Sequence, residues 1–151
     1  MSEKLNDDYK AIKAFFDATE LLKERGIIKS NRYLGDIGEY ISSNLDLLKL
    51  CDSLRNKGFD GLDCDGRKVE VKSHNAKKGT NIQMDKYYKN GNIPEFDVLL
   101  VVIGPESNIR PDKYIGQNNF LIYKIEGYES GNIAKKTLSG LEPYEIISFD
   151  D

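Results

Sequence analysis

The sequence predicts one α+β domain, a mixed central sheet flanked by helices, and three observations predict it. Apolar residues recur at helical spacing over roughly the first 45 positions. From residue 47 the pattern changes to short strands punctuated by Asp-Gly and Gly-Pro. The run Val98 to Ile103 is apolar throughout, as in a strand buried on both faces. At 151 residues the chain is long enough for one core and too short for two.

Residues 1–28 read as an N-terminal helical extension. Leu5, Tyr9, Ile12, Phe15, Phe16, Leu21 and Leu22 hold helical spacing over 5–24, and Gly26 is the stop. A second helix starts after Ser30, with Leu34, Ile37, Ile41 and Leu45 on one stripe. Gly35 and Gly38 lie inside it, each costing about 1 kcal/mol against Ala. That cost is tolerated where another backbone comes close. With Ser42 they form a small-residue flank, and Glu39 projects from its edge. Leu47–Cys51 reads as a short strand. Residues 58–63 and 67–73 form a hairpin around Cys64-Asp65-Gly66. Residues 81–90 read as a short helix or loop. Phe96 to Ile103, closed by Gly104-Pro105, is the buried strand; 119–125 is another, and 143–149 a last edge strand. No internal repeat or linker interrupts this order.

Composition removes several chemistries. The net charge is −3 and the pI about 5.3. The longest apolar run has six residues, so no membrane span is expected, and the first residues lack a signal-peptide stretch. A cytoplasmic location is the expectation. Cys51 and Cys64 form neither a C-x-x-C motif nor a disulfide framework and read as reduced, half-buried thiols. A single histidine, His74, excludes zinc sites and nucleases built on histidine clusters. There is no G-x-S-x-G, Walker A or G-x-G-x-x-G motif. Carboxylate and lysine chemistry remains.

Asp60, Glu70 and Lys72 carry that chemistry. Side chains alternate along a strand, so Val69 and Val71 face the core while Glu70 and Lys72 share the other face. A two-residue Asp65-Gly66 loop would pair Asp60 with Val71 and turn it away. A three-residue loop with Gly66 left-handed pairs Asp60 with Glu70, and this is the register expected. Two carboxylates about 5 Å apart across a ladder repel unless a cation lies between them. Hard oxygen ligands at that spacing suit Mg²⁺, with Mn²⁺ as a substitute. A neighbouring lysine orients water and stabilises charge on a phosphate. The acid-x-Lys tripeptide should arise about 3–4 times by chance in this composition. Asp8-Tyr9-Lys10 is another instance. From pattern alone, a solvated hairpin carrying ordinary surface charges fits equally well.

Gly38-Glu39, then Gly58-Phe59-Asp60-Gly61, then Glu70-Val71-Lys72 resembles the PD-(D/E)XK nuclease superfamily, the restriction-endonuclease-like fold. Its core runs helix, three strands, helix, strand. Residues 30–103 follow that order, leaving 104–151 as C-terminal strands and loops. The resemblance implies a metal-dependent endodeoxyribonuclease of a restriction, repair or phage-defence system. By the same resemblance Asp60 and Glu70 bind the metal, Glu39 completes its site, the Val71 carbonyl is a further ligand, and Lys72 serves the attacking water. Phe59 stands where the superfamily usually has proline. Gln83-x-x-x-Tyr87 is similar to the Gln-x-x-x-Tyr helix motif of RecB-like members.

Charge distribution bears on the partner. Residues 67–90 hold seven basic and two acidic side chains, +5, which leaves −8 for the remainder. Lys68, Lys77, Lys78, Gln83, Lys86 and Tyr87 are the candidate nucleic-acid contacts, the lysines on phosphates and the tyrosine stacking on bases. A solvated loop is the other reading of this segment. His74 shares the face of Lys72 by alternation. DNA is the expected partner, and a homodimer would make two nicks. Two other functions compete: a catalytically inactive nuclease-fold module that binds nucleic acid, and a phage-type protein-interaction module or inhibitor.

Overall fold

The computed structural model describes residues 3–26, 34–50, 59–79, 81–84 and 94–149. Helix α1 spans Glu3–Glu24 and α2 spans Leu34–Asn44. Gly26 closes the end of α1 with a φ of 72°, its amide donating to the Lys23 carbonyl at 3.0 Å. Strands follow at Lys49–Leu50 (β1), Gly61–Leu62 (β2), Lys68–His74 (β3), Val98–Ile103 (β4), Asn119–Glu126 (β5) and Glu145–Ser148 (β6). A 3₁₀ turn at Asp112–Tyr114 precedes β5, and a short helix α3, Lys135–Ser139, precedes β6.

The six strands form one mixed sheet in chain order, β1-β2-β3-β4-β5-β6. All neighbours are antiparallel except β3 and β4, which are parallel, so the chain between them crosses over the sheet. The expected α+β architecture is therefore present. The sheet continues unbroken into the C-terminal residues, where β5 and β6 extend it.

Alternation sorts the sheet into two faces. Val69, Val71, Val98, Leu100, Val102, Phe120 and Ile122 pack against α1 and α2 through Tyr9, Phe16, Leu34 and Ile41. Leu99, Val101, Ile103, Leu121 and Tyr123 face the other way. They are covered by Ile82, Met84, Ile109, Ile133 and Leu138. All six residues of β4 are buried, as a central strand with two covered faces requires.

Gly38 sets how closely α2 lies on β3: a Cβ there would collide with Ser73 Oγ. Gly35, expected on the same close flank, faces open space. The segment 81–84 is not helical; Ile82 makes a bridge with Ile133. Residues 85–93 of the expected helix or loop lie outside the described residues. Cys64 is exposed rather than half-buried, because it occupies the hairpin turn; Cys51 lies outside the described residues.

Candidate active site

The hairpin has the register that the three-residue turn predicts. Gly61 pairs with Val69 and Leu62 with Lys68, leaving Cys64, Asp65 and Gly66 as the loop, with Gly66 at φ 79°. Asp63 organises the turn, accepting from the Asp65 amide at 3.0 Å, the Arg67 amide at 2.9 Å and Arg67 Nε at 2.8 Å.

The ladder stops one residue short of Asp60. Its amide donates to the Val69 carbonyl at 2.7 Å, and its Oδ2 accepts the Val71 amide at 2.7 Å. The Asp97 and Gly104 amides donate to the carbonyls of Lys68 and His74, so these residues direct their main chain toward β4. By alternation Val69 and Val71 direct theirs toward β2. Where β2 has ended, the Asp60 carboxylate takes the place of the missing strand partner. Asp60 thus stands beside Glu70, held at both ends of its own residue, although it is not a ladder partner. The Val71 carbonyl, on the same side, faces this corner.

Glu39 reaches the corner from α2, on the other face of the sheet. Asp60 hydrogen-bonds to both Glu39 and Glu70, which forms a chain of three carboxyl groups with Asp60 in the middle. Burial, then the neighbouring Asp60, pushes the Glu39 carboxyl up to about 7, with Asp36 adding to the rise. Burial pushes Glu70 up to about 8, reinforced by its hydrogen bond to Asp60 and the Asp60 charge; Lys72 and the Val71 amide oppose the rise. Near neutrality this corner therefore holds protons that it would not hold in water. Among the described residues no three His, Cys, Asp or Glu side chains are arranged to hold a metal ion as they stand.

Lys72 lies on β3 two residues beyond Glu70, on the same face, and is close enough for its charge to act on that carboxyl. His74, one step further, bonds through Nδ1 to Ser107 Oγ at 2.7 Å. Ser107 is buried and came with no signal in the sequence; only the crossover brings it to the end of β3.

The basic residues are less uniform. The Lys68 ammonium lies 5.4 Å from the centre of the Phe59 ring, a cation–π contact next to Asp60 in sequence. Lys77 pairs with Glu20 of α1 at 3.2 Å and with Glu106 at 3.7 Å. Lys78 is exposed. Gln83 is exposed and sits in extended chain, where it accepts from Asn132 Nδ2 at 3.3 Å. Lys86 and Tyr87 lie outside the described residues. The acids and Lys72 thus converge, and the described members of the expected phosphate contacts, Lys68, Lys77, Lys78 and Gln83, do not form one group with them.

No protein-family model matches the chain, and no curated protein matches it. No helix among the described residues is long and apolar enough to cross a membrane.

Proposed function

We propose that this chain is a divalent-metal-dependent nuclease that hydrolyses phosphodiester bonds in DNA. The observation that carries this reading is the meeting of Glu39, Asp60 and Glu70, from three separate segments, beside Lys72. The order α2, β1, β2, β3, β4, with β3 and β4 parallel, supports a restriction-endonuclease-like core.

The corner fits a hard divalent cation. Its donors are carboxyl oxygens and the Val71 carbonyl, and burial, reinforced by the neighbouring Asp60, favours the protonated form of Glu39 and Glu70 unless another positive charge replaces the protons. Asp60, Glu70, Glu39 and the Val71 carbonyl would hold Mg²⁺ or Mn²⁺. Such a cation, when bound, supplies Lewis acidity toward a phosphoryl oxygen and toward water. The protein side does the rest. Asp60 is fixed by the Val71 amide, so its carboxylate is oriented before substrate arrives. Lys72 donates hydrogen bonds that orient the attacking water and stabilise negative charge on the phosphate. Lys68 and Lys78 stand near enough in the chain to contact flanking phosphates.

The test is cleavage of supercoiled plasmid and of single-stranded DNA at low salt, in Mg²⁺, Mn²⁺ or EDTA. The expected result is metal-dependent cutting that Asp60→Ala and Lys72→Ala each reduce by about 10²–10⁴-fold. Cutting that survives both substitutions overturns the site. DNA binding with no cutting under any metal assigns a binding module instead. Absence of both, with a tight protein partner, assigns an interaction module.

A further inference from the structure

Beyond the C-terminal end of β4, residues 105–108, 110 and 115–118 enclose a cavity of about 420 Å³. This size is in the range of small-ligand sites. Its wall includes Arg110, which is only 1% exposed. The guanidinium donates from Nε to the Gly104 carbonyl at 3.2 Å. Nη1 donates to the carbonyls of Tyr114 at 2.7 Å and Gln117 at 3.4 Å, and Nη2 to that of Asn119 at 2.6 Å. Every partner is a neutral carbonyl, and no carboxylate pairs with Arg110 among the described residues. Four of its five N–H groups are thereby used, and the second N–H of Nη2 has no acceptor among the described residues.

A buried cation without a counter-charge is costly unless something compensates it. Glu106 lines the same cavity and its charge acts on Arg110, but its carboxylate also pairs with Lys77, at 3.7 Å. The other lining groups include the carboxamides of Asn108, Gln117 and Asn118, which suit a polar ligand larger than a bare ion. A cavity with a buried donor in its wall receives an end group, whereas a backbone phosphate passes along an open groove.

We infer that this cavity binds a phosphate monoester, with Arg110 supplying the charge and its remaining N–H the direct contact. The monoester can be that of a free nucleotide or the terminal phosphate of a nucleic-acid strand. Binding itself does not depend on the nuclease reading; only the strand-end source does. His74 joins the cavity wall to β3 through Ser107, and it lies four residues beyond Glu70. At about 3.3 Å per strand residue His74 is about 13 Å along the strand from Glu70, and the cavity wall lies beyond it by the length of the His74 side chain and its bond to Ser107. A terminal phosphate bound there would leave an internal phosphodiester of the same strand at the acids.

The test uses the full chain in EDTA, so that no cleavage occurs. Inorganic phosphate, adenosine 5′-monophosphate, and matched short DNA strands with and without a 5′-phosphate are titrated in turn, and amide shifts are read by NMR. Saturable shifts over residues 104–119 are expected with phosphate and with the nucleotide. Arg110 also holds its loops together, so its removal is a poor probe. Asn108→Asp and Gln117→Glu instead place a carboxylate in the wall. Each is expected to weaken phosphate binding about tenfold or more, Asn108→Asp with little change in the thermal midpoint and Gln117→Glu with a lower one, because it loses the Nε2 bond to the Lys113 carbonyl. Tighter binding of the phosphorylated strand than of the free nucleotide supports the site with a strand end as its source; the reverse supports it with a nucleotide. Shifts confined to Lys68, Lys77 and Lys78, or undiminished binding by both variants, overturn the inference. Plasmid cleavage alongside absent shifts would sink the cavity and leave the nuclease standing.

Discussion

Raising the pH from 5 to 8 in EDTA is expected to destabilise the folded chain, and Asp60→Asn is expected to remove the part of that loss that the Asp60 charge adds to burial. Glu39 and Glu70 hold protons in the fold up to about 7 and about 8, whereas unfolded glutamates release them near 4.5. Between these limits the native state binds more protons than the unfolded state, so stability falls as pH rises. At about 1.4 kcal/mol per pH unit, the Glu70 shift alone would reach about 5 kcal/mol. Partial exposure to water and the shared protons reduce the figure for the pair to about 2–3 kcal/mol. For a chain of this size that corresponds to a thermal midpoint lower by about 5–10 °C at pH 8 than at pH 5. The carboxamide of Asp60→Asn would keep an oxygen for the Val71 amide while removing the central charge, so the architecture should survive as the slope flattens. Thermal melts of both proteins across this range measure it. The difference between the two curves belongs to the carboxyls that Asp60 contacts. A wild-type midpoint independent of pH, or a slope that Asp60→Asn leaves unchanged, refutes the reasoning.

Three further outcomes follow from the same geometry. Millimolar Mg²⁺ at pH 8 should raise the wild-type midpoint by replacing the lost protons and should do little for Asp60→Asn; equal shifts in both would place the ion elsewhere. Gly38→Ala should cost about 1–3 kcal/mol in chemical denaturation, because its Cβ would collide with Ser73 Oγ, and adding Ser73→Ala should recover part of the loss. Asp63→Ala should cost about 1–2 kcal/mol by leaving the two turn amides and Arg67 without their acceptor, and a neutral result would show that the turn holds through Gly66 alone.

Much of the sheet was legible because local patterns determine it. The Asp-Gly turn and the alternation around Val69 and Val71 give the hairpin register, and the unbroken run at 98–103 gives the central strand. Glu70 and Lys72 on one face follow from the same alternation. The position of Asp60 was legible only in part: its pairing with Glu70 is replaced by a carboxylate–amide bond to Val71, which no periodicity encodes. The approach of Glu39 from the opposite face depends on how α2 lies over Ser73, a tertiary matter. Helix α3 was not legible because five residues with a single buried side chain, Leu138, show no period. Nor was Arg110, since an arginine in sequence reads as surface and its burial depends on how the irregular chain on either side of it turns four carbonyls inward.

The length of the last strand has a consequence for behaviour at high concentration. At the margin beyond β5 stands β6, with only four residues. An edge that short offers another molecule few free main-chain groups, so growth of one sheet onto the next gains little. Exposed Tyr144 and Ile146 sit on or beside β6, yet they lack a long flat template along which copies could align. A net charge of −3 discourages contact only while salt is low, because screening shortens its reach to about 10 Å at 0.1 M. A short margin acts at any ionic strength. At this edge colloidal stability therefore rests more on where the strand ends than on the charges the chain carries.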